Sequence, residues 1–321
     1  MHLALEVDTE KVVESTIERL THEIRSFLKQ EHIQYTTLNR VKGNQILIKL
    51  KGQKNIDGFE KILDTEFKNL SILSRSMDGD TLTMQLDLPS KEADQIKKLA
   101  TDQALETIRN RIDQFGVSEP DIRRQGENRI LVQLPGIKDT KRAKALIGKT
   151  ALLEFKLLDE GNPLAREFPA SINPDNEDAF YAEFNSKVPE GDEILLERVE
   201  DEKTGVVTKR PYLIKKKALM TGDMLSDARV SIGDYNEPYV SITLNATGAR
   251  LFEKITGENI QKRLAIILDN HVYSAPVIQD KISGGRAQIT GRYSAQEASD
   301  LAIVLRAGAL PAPVKIIENR K

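Results

Sequence analysis

Residues 108–136, IRNRIDQFGVSEPDIRRQGENRILVQLPG, read as the end of a helix followed by a β-hairpin. Ile108, Ile112 and Phe115 continue an apolar stripe that begins at Ile96, Leu99 and Ala100, the period of a helix with one buried face. Gly116 stands where the stripe stops, a position suited to a left-handed C′ residue. Pro120 blocks further helix and favours extended chain before it. Short strands are expected at 121–125 and 129–134, around Gly126-Glu127-Asn128. Ile130, Val132 and Leu134 alternate with Leu131 and Gln133, so one face is apolar and the other mixed. Pro135-Gly136 ends the second strand.

The same stretch occurs earlier in the chain. At an offset of 84 residues, 24–55 aligns with 108–139 without a gap, and ten of the 32 positions are identical, among them Arg40/Arg124, Asn44/Asn128 and Gly52/Gly136. Leu28/Ile112, Ile33/Val117, Leu38/Ile122 and Ile48/Val132 keep apolar character. Asn55 and Asp139 are expected to cap short helices, and strand-like runs follow at 70–74 and 151–158. A strand precedes each unit, at 3–7 and at 81–88. The order strand, helix, hairpin, helix, strand is therefore expected twice. That is the split-βαβ, ferredoxin-like plan. The pattern leaves open whether 3–7 completes the first unit or joins the second.

A chain of 321 residues has room for two or three domains. Its 47 basic and 49 acidic residues leave no net basic field for nucleic acid or anionic lipid. No apolar run of about 18 residues is present, and no signal-peptide pattern opens the chain. Cysteine is absent, which removes disulfides and thiolate metal sites. The four histidines, His2, His22, His32 and His271, are not spaced as ligand pairs, and no phosphate-binding glycine loop or nucleophile elbow occurs. The residues themselves thus point to a multi-module α+β protein that binds or moves something, with no catalytic, metal or cofactor site.

Elsewhere, Val13, Ile17, Leu20, Ile24 and Phe27 form one helical stripe. Residues 159–202 hold 14 acidic and 3 basic residues, and 203–217 hold 6 basic and none acidic. This stretch, with Pro163, Pro169, Pro174 and Pro189, reads as a solvated insertion of short elements. Phe180, Tyr181 and Phe184 form its one amphipathic piece, either the insertion's own small core or an apolar contact surface. A hairpin is expected from 228–232 and 239–244 around Gly233-Asp234-Tyr235-Asn236. Residues 264–268 form a continuous apolar strand, and Asp269-Asn270 a tight turn. Ser294 and Glu297 make a capping box for a final helix, and 310–317 an edge strand held extended by Pro311 and Pro313.

Three segments carry a family resemblance: RNRIDQFGVSEPDIRRQGENRILVQLPGIKD, KRLAIILDNHVYSAPVIQDKISGGRAQITG and SAQEASDLAIVLRAGALPAPVKI. The chain resembles the first periplasmic domain of the SecD family of bacterial protein-export membrane proteins. The weakly matching parts are 159–217 and 29–89, the latter similar to an extra module found in some members. The resemblance implies an α+β fold with ferredoxin-like βαββαβ modules in a base, residues 1–139 plus 279–321, with an extra repeat at about 9–78. It implies an inserted α+β head at 140–278. It also implies that unfolded preprotein is held on the periplasmic face of the inner membrane, beside SecF and the SecYEG translocon, and that export is assisted by the proton gradient. The proton-carrying residues and the membrane contact would belong to transmembrane segments outside this chain.

On that reading two passages of chain join head and base. Pro135, Gly136, Gly284 and Gly285 are the expected hinge positions, because glycine absorbs backbone rotation at low cost. The expected polypeptide contacts are strand edges near 151–158 and 239–244, with Phe180, Tyr181 and Phe184. Two other readings stand beside this one. A porter domain of an RND-type efflux transporter would show a deep aromatic pocket, and a soluble enzyme with ferredoxin-like regulatory modules would show a catalytic cluster.

Overall fold

The computed structural model describes residues 1–41, 43–201, 204–233, 236–291 and 293–320. The chain opens with β1 (His2–Val7), α1 (Thr9–Gln30), β2 (Tyr35–Val41), β3 (Gln45–Lys51), α2 (Gln53–Glu66), β4 (Ser71–Asp78) and β5 (Thr81–Asp87). It continues with α3 (Ser90–Phe115), β6 (Asp121–Gln125), β7 (Arg129–Gln133), α4 (Thr140–Gly148), β8 (Leu153–Leu157), α5 (Pro163–Glu167) and α6 (Glu177–Phe184). Then follow β9 (Asp192–Glu200), β10 (Val207–Lys215), β11 (Met220–Thr221), β12 (Leu225–Ile232), β13 (Pro238–Leu244) and α7 (Ala246–Glu258). The last elements are β14 (Leu264–Leu268), β15 (His271–Ser274), β16 (Arg286–Ile289), α8 (Ala295–Ala307) and β17 (Val314–Arg320). The fold is α+β, with several sheets. Among the described residues, no helix is long and apolar enough to cross a membrane.

The elements arise where their local signals place them. Val13, Ile17, Leu20, Ile24 and Leu28 of α1 are buried along one face, and Asp8 caps the helix by accepting from Lys11 N. Asp139, Asn245 and Ser294 cap α4, α7 and α8, the last in a reciprocal capping box with Glu297. Asn55 departs from expectation. Gly52, at φ +85°, precedes α2, and Asn55 lies inside the helix, where its amide donates to Lys51 O and accepts from Gln34 N. The Asp234-Tyr235 part of the expected hairpin turn lies outside the described residues.

Two compact units divide the chain: residues 1–106, 118–136 and 311–321 in unit 1, and 107–117 with 137–310 in unit 2. The chain passes between them four times, where two passages were expected. The expected head, 140–278, lies within unit 2, which also takes in β16, α8 and the end of α3.

Unit 1 contains two four-stranded sheets, of order β17-β1-β7-β6 and β2-β3-β5-β4. The repeat is visible in their registers. Leu38 pairs with Ile48 and Arg40 with Ile46, as Ile122 does with Val132 and Arg124 with Ile130. Arg40 reaches Glu18 at 3.2 Å and Arg124 reaches Asp102 at 2.8 Å, both pairs being 84 residues apart in the two copies. The preceding strands are exchanged. β1 leads into α1, yet it pairs with β7; β5 leads into α3, yet it pairs with β3. The exchange keeps register, since Leu5 opposes Ile130 as Leu86 opposes Ile46. Val7 N donates to Asn128 O as Leu88 N donates to Asn44 O.

In unit 2 a six-stranded sheet has the order β10-β9-β15-β14-β8-β11, and a three-stranded sheet the order β12-β13-β16. All five residues of β14 are buried. Leu264, Ile266 and Leu268 join a core with Phe155, Phe252 and Leu301, while Ala265 and Ile267 join Leu195, Ile214 and Val272 on the other face. Burial of both faces explains the unbroken apolar run LAIIL. Asp269 and Asn270 both have positive φ, +50° and +63°, as a two-residue hairpin turn requires.

The acidic and basic runs of 159–217 are not a loosely solvated insertion. β9 and β10 are nine-residue strands that extend the large sheet. The opposite charges face one another. Lys209 pairs with Glu177, Lys215 with Asp159 and with Asp192 at 3.0 Å, and Arg210 lies 3.8 Å from Glu197. These contacts hold the Asp159 carboxyl below, and the Lys215 ammonium above, their ordinary values.

One buried cation organises unit 2. The Arg111 guanidinium donates to the carbonyls of Leu146 (2.9 Å), Ile147 (3.4 Å), Lys149, Thr150 (3.4 Å) and Gly308 (2.9 Å). These carbonyls belong to the C-terminal ends of α4 and α8 and the residues just beyond, which helices leave without intrahelical partners. Burial pulls the guanidinium pKa down to about 10, and the charge of Asp269 acts in the opposite direction.

Candidate polypeptide-binding edge

The aromatic residues singled out in the sequence are core. Phe180 and Phe184 are buried with Leu164, Ile172, Ile194 and Leu213, and Tyr181 is half-buried against them. Phe168 packs edge-on against both phenylalanines, with ring centroids 5.5 and 5.2 Å away. Serine at 180, 181 and 184 is therefore expected to unfold the insertion, since emptying one buried phenylalanine site costs about 3–5 kcal/mol. Loss of amide protection confined to 159–217 would check this; retained protection would show that the aromatic cluster is dispensable.

The expected hinge residues lie in two different settings. Pro135 and Gly136 end a segment of unit 1, and Gly136 has φ +67°. Gly284 and Gly285 lie inside unit 2, away from any passage between units. Gly285 O accepts from Leu244 N, and a Cβ on Gly285 would fall 2.6 Å from Ala249 Cβ. The two glycines there serve close packing and a left-handed backbone.

Neither expected strand edge is free. β8 lies between β14 and β11, and β13 between β12 and β16. The longer of the two outer strands of the small sheet is β12. Its Ala228 is turned away from β13: Ala228 N donates to the Asp227 carboxylate at 2.9 Å, and Ala228 O accepts from Arg306 Nε at 3.1 Å. Antiparallel alternation then turns the N–H and C=O groups of Val230 and Ile232 outward as well. The side chains of Ala228, Val230 and Ile232 share the face that meets the core through Ile242 and Val240. Ala228 is buried, whereas Val230 is 39% and Ile232 66% exposed. The edge is thus blocked at Ala228 by Asp227 and Arg306, and open for two apolar residues beyond it. Such an edge can add an extended segment through backbone hydrogen bonds, with generic apolar contact beside them. The alternation of 228–232 was legible in the sequence. Its edge position was not, because β13 takes its second neighbour, β16, from some 45 residues downstream.

Among the described residues, no group of three or more His, Asp or Glu side chains is placed to hold a metal ion.

Family models match the chain in two places: the N-terminal part of the P1 domain of protein translocase subunit SecDF over residues 101–160, and the SecDF P1 head subdomain over 196–312. The protein translocase subunit SecD of Calditerrivibrio nitroreducens is 46% identical across the whole chain, and that of Desulfurispirillum indicum 43%. The chain spans 59% and 58% of these two relatives. A solved structure of SecDF, a membrane component that enhances protein export, matches with 36% identity and a TM-score of 0.52, over 70% of this chain and 94% of that one. SecDF in its super-membrane-facing form matches with 28% identity and a TM-score of 0.52, over 97% of this chain and 35% of that one.

Proposed function

This chain belongs to the SecD family of protein translocase subunits, and from that premise we propose that it is a periplasmic P1 domain that engages preprotein as it leaves the translocon. The observation that carries the reading is the open edge at Val230 and Ile232 in the unit that the P1 head model covers. Unfolded export substrates share no sequence, so recognition has to use backbone groups and generic apolar contact. Two open edge residues give a weak, fast-exchanging hold, and tight binding would stall transit. In this proposal unit 2 is the head and unit 1 the base. SecF and SecYEG act beside the full-length protein, and the proton-gradient step resides in its membrane segments.

The test is a photocrosslinking residue at position 230 or 232 of full-length SecD, with an export intermediate stalled in the membrane. Crosslinks at both positions are expected, and few at 228, where the edge is blocked. Ile232→Lys, an exposed change worth within about 0.5 kcal/mol of stability, should reduce crosslinking at 230 several-fold. Unchanged crosslinking at 230 in that variant, or none at either position, would reject the β12 edge as the contact.

A further inference from the structure

We infer that β4, in the sheet of unit 1 that carries the first repeat, is a second docking edge for extended polypeptide. The inference rests on the export reading of the chain. β4 is the outer strand of the order β2-β3-β5-β4, and all eight of its residues are exposed. Its partner β5 is not exposed in this way: Leu82, Met84 and Leu86 are fully buried. Ile72, Arg75 and Met77 oppose Leu86, Met84 and Leu82, so they continue the apolar face of the sheet beyond its helical cover. Ile72 and Met77 are each 49% exposed, and Leu73, where the register shifts, is 55% exposed. Ser74 and Ser76 oppose Gln85 and Thr83 on the other face, which is small and polar.

The other long edges are guarded along at least part of their length; β17, the outer strand beside β1, carries the charged residues Lys315 and Glu318. Arg306 and Asp227 block β12 at Ala228. β10 is covered by Ile172, which exchanges two backbone hydrogen bonds with Lys209, and by Asp159 N, which donates to Leu213 O. On β2, Arg25 donates to Leu38 O at 3.3 Å. β6 and β16 are only five and four residues long. β4 has no lysine and no proline. Its one cation, Arg75, is drawn back to Glu60 of α2 at 2.8 Å.

The occupant that fits is an unfolded segment of about six to eight residues, uncharged at its centre, with apolar side chains at alternate positions. The backbone edge gives sequence-independent pairing, and Ile72 and Met77 give the apolar contact. A second copy of the chain is a poorer match. Pairing β4 with itself engages eight residues a side, well short of the roughly 20–30 a side of a stable interface. A transient hold at that size suits a moving chain.

The experiment uses the 321-residue chain and a ten-residue photocrosslinking peptide of alternating valine and serine, with the crosslinks mapped by mass spectrometry. Crosslinks are expected at 72–77 and at 230–232. The double variant Ile72→Lys, Met77→Lys should reduce those at 72–77 at least tenfold, leave those at 230–232 unchanged, and leave the circular dichroism spectrum and melting temperature unchanged. Absence of crosslinks at 72–77 while those at 230–232 persist overturns the inference and leaves the export reading standing. Absence at both sites overturns both. Concentration-dependent dimers in sedimentation that the double variant abolishes, without peptide crosslinks at 72–77, would assign the edge to a second copy and overturn the inference.

Discussion

Arg111→Met is expected to destabilise unit 2 by about 3–5 kcal/mol, among the largest single-residue effects in the chain. The guanidinium satisfies carbonyls at the ends of α4 and α8 that have no helical donor. Methionine fills similar space and removes the cost of burying a charge, so that part of the loss is recovered. It supplies no donor, and each buried carbonyl left unpaired costs about 1–3 kcal/mol. For a unit of this size the expected fall in melting temperature is roughly 6–20 °C. Arg111→Lys should fall between the two, because an ammonium cannot span carbonyls on two helices as a planar fork does. Arg123→Met is the control. Its side chain is exposed, 3.8 Å from Asp121, and such a pair contributes about 0–1 kcal/mol. Differential scanning calorimetry measures all three. Equal melting temperatures for Arg111→Met and Arg123→Met would show that the two helix ends hold without the cation.

The exchanged strands set a second expectation, about where the repeat can be removed. A deletion of residues 8–88, joining Val7 to Pro89, takes out one sheet together with β5 and leaves β1 between β7 and β17. Because Val7 and Leu88 donate to the equivalent carbonyls of Asn128 and Asn44, the junction puts β1 in the position from which β5 entered α3. This shorter chain is expected to be monomeric and to unfold cooperatively. A deletion of residues 9–80 follows the order of elements in the sequence and should fail. It keeps β5 while removing β3 and β4, its two neighbours. Leu82, Met84 and Leu86 then lose their burial, at about 1.5–3 kcal/mol each, and an unpaired apolar strand promotes aggregation. Size-exclusion chromatography with urea unfolding distinguishes the two. Aggregation of the 8–88 deletion would mean that β1 depends on the first repeat. One solved SecDF chain covers only 70% of this chain while being matched over 94% of its own length, so members without an equivalent of every segment here do fold.

Much of the local architecture was legible because its causes lie within a few residues. The stripe from Val13 to Ile24, the caps at Asp139 and Ser294, the left-handed Gly116 and the Asp269-Asn270 turn all follow from neighbours in sequence. The repeat was legible for the same reason, since a hairpin register depends on its own turn. The charge runs at 159–217 are legible as composition, whereas their pairing is not. Lys209, Lys215 and Arg210 meet their carboxylates only once β10 has folded beside β9 and the chain before it.

The sequence by itself determined the long helices, the caps at Asp139 and Ser294, the two hairpins and the family. The tertiary structure alone decided which strand lies beside which: β1 with β7, β5 with β3, β13 inside its sheet and β4 and β12 outside. The physical reason is that β1 and β5 carry the same period-two apolar pattern, Leu3-Leu5-Val7 against Met84-Leu86-Leu88, and the pattern alone does not distinguish the two sheets. Pairing is then settled by long-range connection and by the packing of whole faces, and those terms exist only in the folded chain.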